Sequence, residues 1–456
     1  MPLTDTIVAL STPPGRSGIG VIRLSGPQSL KITSLLVQDD NFASTPNHVV
    51  LKKLHDPTTG DVLDQVLLTY FKAPHSFTGE DVIELSCHGS PVLLRYVIDV
   101  ILSLNARLAG PGEFTLRALS NGRLNLNQAE AIRDLIDAQT RTAVRQATRQ
   151  LSGELSAQLQ PIKDSLLDII VPLESSLEFV EDDLPKVAID KLKSRLSELK
   201  QSIQDLASTF STGRLIRDGL KVTLVGRPNV GKSSLFNGLL SLDRAIVTEL
   251  PGTTRDSLSE MISIRGVPIL LTDTAGLRSS ADKVESLGVE RTRRAVVDAD
   301  LVIAVLDGSQ PLVQEDEDVF NEIAESTYLI ALNKSDLVSF SENKLEHLNS
   351  QPSAVINVSA KTGTGLDALR TAILEPFSTF DTNDSGLLVT DARHFDLLQR
   401  AQSALGASQD LLEQRASEEL ILVGLYDGLR YIGEITGETT PEDVLSQIFA
   451  TFCIGK

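Results

Sequence analysis

The sequence predicts a multidomain α/β chain: an N-terminal α+β region, then a helical region interrupted by an inserted domain with an open, mostly parallel sheet. Three observations predict it. The apolar run Val222–Val225 leads straight into Gly226-Arg227-Pro228-Asn229-Val230-Gly231-Lys232-Ser233, a turn of pattern G-x-x-x-x-G-K-[ST], with a helix expected from about Ser234. Residues 218–378 keep alternating strand-like and helix-like segments, as a parallel sheet requires. Glycine almost vanishes between Leu126 and Arg217, where Ala129, Ile132, Leu135 and Ile136, then Ile162, Leu166, Ile169 and Ile170, fall at helical spacing.

Taken in order, residues 1–120 form the α+β region. Short β-rich runs (Thr6–Leu10, Gly20–Leu24, Val82–Leu85) are separated by turns such as Pro13-Pro14-Gly15 and Gly110-Pro111-Gly112. Residues 121–217 are the first part of a helical bundle, and residues 218–378 the inserted sheet domain. Residues 379–456 return to helical texture; Thr440-Pro441-Glu442-Asp443 reads as a helix start, with a threonine cap and a proline at the first helical position. On this division Leu126–Arg217 and Thr390–Lys456 are expected to pack together, so that motion in the insert passes into them.

The chain has 456 residues, 41% of them hydrophobic, enough for about two to four domains with their own cores. A net charge of −19 argues against a stand-alone nucleic-acid binder. Two cysteines, Cys87 and Cys453, exclude a disulfide framework and suit a reducing compartment; no zinc-ligand spacing is present. No apolar run approaches the roughly 18 residues that span a bilayer. The start, Met1-Pro2-Leu3-Thr4-Asp5, has neither a basic leader nor Arg-rich transit character, which predicts a soluble cytoplasmic chain with no membrane partner. The acidic run Gln314–Asp318 reads as a solvated loop or the first turn of a helix, and the helical stretch Lys191–Lys200 as a solvent face.

The glycine-rich turn is a phosphate loop. Its backbone N–H groups, from Asn229 through Val230, Gly231, Lys232, Ser233 and Ser234, point at anionic oxygens; Lys232 reaches the β/γ-phosphates and the Ser233 hydroxyl ligates Mg²⁺. Asp273-Thr274-Ala275-Gly276 follows the run Val267–Leu271 and brings a second carboxylate to the Mg²⁺ shell. Asn333-Lys334-Ser335-Asp336 ends the run Tyr328–Leu332. Asp336 can accept two hydrogen bonds from guanine N1 and N2, a donor pair that adenine lacks. Ser359-Ala360-Lys361 can add a backbone donor to the guanine oxygen. Such elements, each at the C-terminal end of a strand, predict a GTP-binding domain.

Other segments carry a resemblance. They are Asp5–Leu10, Thr12–Gly20, Ser76-Phe77-Thr78-Gly79-Glu80-Asp81, Pro111-Gly112-Glu113-Phe114-Thr115, Asn121-Gly122-Arg123-Leu124, Gln128–Ile132 and the terminal Cys453-Ile454-Gly455-Lys456. With them the whole chain resembles the MnmE/TrmE family of tRNA-modification GTPases, within the TrmE-Era-EngA-YihA-Septin-like superfamily. The resemblance implies a tetrahydrofolate-binding-like N-terminal domain that also forms a homodimer, and a Ras-like P-loop GTPase insert. It implies an FAD-dependent partner (MnmG, also called GidA) in a heterotetramer or larger complex that engages tRNA. Together they would add an aminomethyl or carboxymethylaminomethyl group to C5 of the wobble uridine. The carbon would come from 5-formyltetrahydrofolate or methylenetetrahydrofolate.

The same resemblance implies site residues. Where Ras-type proteins carry a glutamine, this chain has Leu277, and Glu285 would position the attacking water, with Asp282 as a rival. K⁺ would replace an arginine finger, held by Asn229, Thr248, Leu250 and Thr253 within Thr248-Glu249-Leu250-Pro251-Gly252-Thr253-Thr254; Thr254 would join Ser233 on Mg²⁺. Hydrolysis would bring two GTPase domains together. Pro251 departs from the alanine expected there, which stiffens the segment but keeps its carbonyls. For the folate, Glu80 would meet the pterin edge, with Arg23, Arg123 and Lys456 as basic contacts; Arg123 stands where relatives carry lysine. Cys453 would be a nucleophile or acid/base group in one-carbon transfer, or else a small buried residue closing the last helix. His88 is the histidine considered as its partner in space. Two other classes remain in view. A ribosome-assembly switch resembling Era or Der would need an RNA-binding module on a basic surface, and a scaffold with vestigial GTPase activity sits poorly with intact Lys232, Ser233, Thr254 and Asp273.

Overall fold

The computed structural model describes residues 5–42, 45–178, 186–242, 259–274, 293–341, 351–377, 386–438, 445 and 448–455. The chain divides into two compact units. One comprises Met1–Ile136, Gln150–Leu167 and Leu425–Lys456; the other comprises Asp137–Arg149 and Asp168–Gly424.

The first unit is built on a six-stranded sheet of β1 (Thr6–Leu10), β2 (Ile19–Ser25), β3 (Val49–His55), β4 (Val62–Phe71), β5 (Val82–His88) and β6 (Ala106–Leu108), in the order β3-β4-β5-β2-β1-β6. All neighbours are antiparallel except β1 and β6. One face is covered by α1 (Ser29–Val37) and α2 (Pro91–Ser103), whose Ile32, Leu36, Leu94, Val97 and Ile101 bury against Ile22, Leu24, Leu68, Ile83 and Leu85. Cys87 lies in this core, its thiol pushed up to about 12 by burial and then by the Asp64 charge. Helices α3 (Glu113–Ser120) and α4 (Leu126–Asp137) follow. Phe449 and Phe452, from the end of the chain, pack on Leu126 and Ala129. Ile454 bridges Pro111, and the Cys453 carbonyl accepts from Gly112 N–H at 3.3 Å. The C-terminal tail is therefore part of the N-terminal fold.

The second unit holds the sheet β12-β11-β10-β7-β9-β8, made of β7 (Leu220–Val225), β8 (Ser259–Ile264), β9 (Val267–Asp273), β10 (Leu301–Asp307), β11 (Tyr328–Asn333) and β12 (Val355–Asn357). It is parallel except for the β8–β9 hairpin. β10 and β11 are buried along their whole length, as central parallel strands are when helices cover both faces. Helix α9 (Lys232–Leu242) starts two residues earlier than expected, because Gly231, at φ +103°, completes the turn. The acidic run is the first turn of α10 (Gln314–Glu322), one of its two expected forms, where acids suit the helix N-terminus; within it Asp316 is buried. α11 (Leu366–Leu374) completes the cover.

Helices α5 (Arg141–Leu151), α6 (Glu154–Glu178), α7 (Lys186–Ser208) and α8 (Phe210–Asp218) precede the sheet; α12 (Ala392–Glu413) and α13 (Glu418–Thr436) follow it. The two sides do pack together. Lys200 Nζ donates to Gln409 Oε1 at 2.9 Å and Gln402 Nε2 to Gln204 Oε1 at 2.6 Å, so Lys200 leaves the expected solvent face. The chain's entry into the sheet and its exit are joined. A Cβ on Gly213 would lie 2.1 Å from the Val389 carbonyl oxygen, and Arg217 Nη1 meets Asp391 Oδ2 at 2.7 Å. Asp391 also caps α12 by accepting from Arg393 N–H. The helix start expected at Thr440-Pro441 lies outside the described residues.

Candidate functional site

The phosphate loop leaves the centre of the second sheet between β9 and β10. Gly226 is at φ +148°, and a Cβ there would lie 2.4 Å from the Val305 carbonyl oxygen, so β10 backs the loop with no room for a side chain. Asn229 adopts the left-handed region at φ +64°. Lys232 Nζ donates to the Gly226 and Arg227 carbonyls, each at 2.8 Å, which holds the ammonium inside the loop. Ser233 Oγ donates to Asp273 Oδ2 at 2.7 Å. The two oxygens expected around Mg²⁺, far apart in sequence, are thus adjacent. Thr274 Oγ1 donates to the Leu224 carbonyl at 2.7 Å and ties the end of β9 to β7.

The base-binding side is assembled around Asn333. Its Nδ2 donates to the Val230 carbonyl at 2.8 Å, and its Oδ1 accepts from Ala360 N–H at 3.0 Å. One amide therefore ties the phosphate loop to the Ser359-Ala360-Lys361 loop. Ser359 N–H goes to the Thr364 carbonyl, and Ala360 N–H is taken by Asn333. Ser359 Oγ donates to Asp336 Oδ1 at 2.7 Å, which holds that exposed carboxyl below the ordinary aspartate range. Ser335 N–H bonds the Val358 carbonyl. Lys334, at φ +68°, donates to Asp307 Oδ2 at 2.6 Å. Burial alone would raise the Asp307 carboxyl; Lys334 and Ser309 outweigh it and hold it low. Asp307 was missed in the sequence, although it closes the apolar run Leu301–Leu306 as Asp273 closes Val267–Leu271.

The first unit carries Glu80, Arg23 and Arg123, each with its own partners. Glu80 Oε2 accepts from Ser25 Oγ at 2.7 Å, and both its oxygens face Arg117 Nη1 at 3.1 and 3.2 Å. Arg117 is fully buried and also bonds Asp5 and Glu113. Burial would lower its pKa, yet Glu113, Glu80 and Asp5 raise it. The sequence reading missed Arg117; the i,i+4 pair Glu113–Arg117 is the signal that could have found it. Arg23 pairs with Glu84 through Nε and Nη2 at 2.9 and 2.7 Å, sits 5.7 Å from the Phe114 ring and 5.9 Å from the Phe77 ring, and reaches the Gly455 carbonyl. Arg123 is exposed and lies beside Gly79.

Cys453 is exposed, which corrects its reading as a small buried residue at the end of a helix. His88 is engaged by Asp64, Nδ1 to Oδ1 at 2.7 Å. Thr248, Glu249, Leu250, Pro251, Gly252, Thr253, Thr254, Ala275, Gly276, Glu285 and Lys456 lie outside the described residues. Among the described residues no helix is long and apolar enough to cross a membrane.

The chain matches the family described as MnmE helical domain over residues 126–453, and that described as GTP-binding protein TrmE N-terminus over residues 6–123. It is 42% identical over 459 residues to the tRNA modification GTPase MnmE of Koribacter versatilis, covering 100% of both chains. Against the MnmE of Aquifex aeolicus it is 41% identical over 455 residues, again covering 100% of both. Among solved structures, the G domain of the T. maritima FeoB iron transporter is 31% identical, covers 34% of this chain and 97% of its own, and has a TM-score of 0.27.

Proposed function

The chain belongs to the MnmE family of tRNA modification GTPases, and from that premise we propose how its residues serve the reaction. GTP is the substrate of the second unit. Lys232 exchanges the Gly226 and Arg227 carbonyls for phosphate oxygens, and the loop amides from Asn229 to Ser234 cradle them. Asp336 and Lys361 select guanine. The observation that carries this reading is the pair of hydrogen bonds that Asn333 makes, donating to the Val230 carbonyl and accepting from Ala360 N–H, which sets the phosphate and base loops in one frame.

The hard oxygens of Ser233 and Asp273, 2.7 Å apart, fit Mg²⁺. Ser233 and Thr254 would hold it, and Asn229, Thr248, Leu250 and Thr253 would hold K⁺; bound there, both ions would supply positive charge against the charge that develops on the phosphoryl oxygens. Glu285 would orient the attacking water, a task that Leu277 cannot perform.

In the first unit, Glu80 keeps acceptor capacity beyond its bonds to Ser25 and Arg117, which suits the donor edge of a pterin. Arg23, Arg123 and Lys456 would meet the carboxylate tail, and a bound one-carbon folate would supply the carbon. Exposure of Cys453 on the tail that is pinned to this sheet supports a role in the transfer. The chain would act as a cytoplasmic homodimer with an FAD-dependent partner on C5 of the wobble uridine.

Mass spectrometry of tRNA nucleosides from cells lacking this protein tests the reading. C5-aminomethyl-type uridines should disappear and return with the intact chain. They should not return with Asp336→Asn or with a chain lacking Cys453–Lys456. An unchanged nucleoside profile would overturn it.

A further inference from the structure

A charged pair between the phosphate loop and α10 has no part in the roles above. Arg227 is the loop's second residue, and its carbonyl is one of the two that hold Lys232. Its guanidinium turns toward α10 instead. Nη2 donates to Gln310 Oε1 at 2.9 Å, and Nε faces Asp316 Oδ1 at 3.2 Å. The Arg227 side chain is 16% exposed and that of Asp316 4%. Nε and Oδ1 meet as charges without a hydrogen bond between them. Asp316 is anchored in turn, since its Oδ2 accepts from Val313 N–H at 3.2 Å and fixes the first turn of α10.

Taking such a pair out of water is costly, and a well-packed apolar pair would often serve stability equally well. The contacts suggest what it does instead. From Arg227 they run to Gln310, whose N–H bonds the Asp307 carbonyl; Asp307 holds Lys334 of the base-binding element. The phosphate loop is thus held through its second residue, Arg227, as well as through Asn333's bond to its fifth, Val230. We propose that Arg227 is a positioning residue for phosphate binding, held by Asp316 and Gln310. The brace fixes the Arg227 carbonyl, and through it the direction in which Lys232 is presented to an anion. This rests on the phosphate-loop reading of Gly226–Ser233.

The test uses the full chain and displacement of a fluorescent GDP by GDP and by guanosine. Asp316→Asn keeps an acceptor for Val313 N–H but removes the charge. It should weaken GDP about tenfold, the scale at which partners that orient a binding group act, while guanosine is unaffected. KM for GTP should rise more than kcat falls. Arg227→Met should match it, Arg227→Lys should recover part of the loss, and the double variant Arg227→Met/Asp316→Asn should bind no more weakly than either single variant. Gln310→Ala, at the outer end of the brace, should show the same GDP-only loss at smaller size. Equal losses for GDP and guanosine would mean general loosening and would overturn the proposal, as would no loss in either. Lys232→Ala separates the two readings. If it weakens GDP and the Arg227 and Asp316 variants do not, the phosphate loop stands and the brace falls; if Lys232→Ala also leaves GDP unchanged, the phosphate-loop reading itself fails.

Discussion

Asn333 donates its side-chain amide to the carbonyl of Val230, 2.8 Å away and on a different strand connection, while its oxygen takes the Ala360 N–H. A Cβ on Gly231 would lie 2.2 Å from the same Nδ2, so the amide also fills the space that glycine leaves open. Asn333→Ala removes both bonds and leaves two polar backbone groups unpaired, each worth about 1–3 kcal/mol where water is excluded. GTP and GDP affinity should fall together by about ten- to a hundredfold, with the fold retained. Calorimetric titration with both nucleotides measures this, and a loss confined to GTP would contradict a framing role.

Asp336 is an ionised acceptor at neutral pH, and the Ser359 hydroxyl bond holds its carboxyl further below the ordinary range. Asp336→Asn replaces a two-oxygen acceptor with one acceptor and one donor. That pattern rejects guanine's N1–H and N2–H₂ but matches the C2 carbonyl of xanthine. The variant should lose about a hundredfold or more in kcat/KM for GTP and gain activity with xanthosine triphosphate. Steady-state turnover with both nucleotides decides the matter, and a variant that loses GTP without gaining the xanthine nucleotide would place the base elsewhere.

These two residues show what was legible beforehand. Lys232, Ser233, Asp273 and Asp336 sit in short local patterns tied to strand ends, so chain order alone placed them. The brace from Asn333 to Val230 spans a long sequence separation, and nothing local announces it. Arg117 was harder still: no motif singled it out, and it is buried because Glu80 and Asp5, from separate stretches, converge on it together with Glu113 of its own helix. For Cys453 the sequence left two readings open, and its exposure removes the buried one. Next to it in sequence, Phe452 is buried while Cys453 is exposed. The strand–helix alternation announced the inserted sheet, whereas the antiparallel edge strand β8 was not anticipated.

The clamp between Arg217 and Asp391 should be visible in acid. Burial would raise the Asp391 carboxyl, but His394 and then Arg217 outweigh it and hold it well below the ordinary value. A depressed folded-state pKa stabilises the fold fully above the unfolded value, about 3.9 for aspartate, and the contribution is lost as pH falls through the lower folded value. Asp391→Asn removes the charge opposite Arg217 but leaves an oxygen to cap α12. At pH 7 it should cost about 2–4 kcal/mol, below the full figure for a buried pair because Arg217 is partly exposed. The gap to the unmodified chain should narrow below about pH 4. Urea unfolding at several pH values checks both, and a gap independent of pH would rule out the charge as the cause.

The tail offers a sharper geometric test. Gly455 holds φ +96°, and a Cβ there would lie 2.5 Å from the Leu10 carbonyl oxygen; its own carbonyl accepts from Ser11 Oγ at 3.1 Å and from Arg23 Nη1 at 3.4 Å. Gly455→Ala adds both backbone strain and a contact with a rigid strand end, together about 1–3 kcal/mol against the docked tail. That energy is enough to release the tail locally, because few residues hold it, while the sheet beneath keeps its own core. Amide hydrogen exchange should therefore quicken at residues 448–455 and at Gly112, whose N–H bonds the Cys453 carbonyl, with β2 and β5 unchanged. Binding of a reduced folate should weaken in parallel if Arg23 needs the Gly455 carbonyl to keep its pose. Unchanged exchange at Gly112 would mean that the tail's hold depends on Phe449 and Phe452 alone, and the aromatic pair would then be the place to cut.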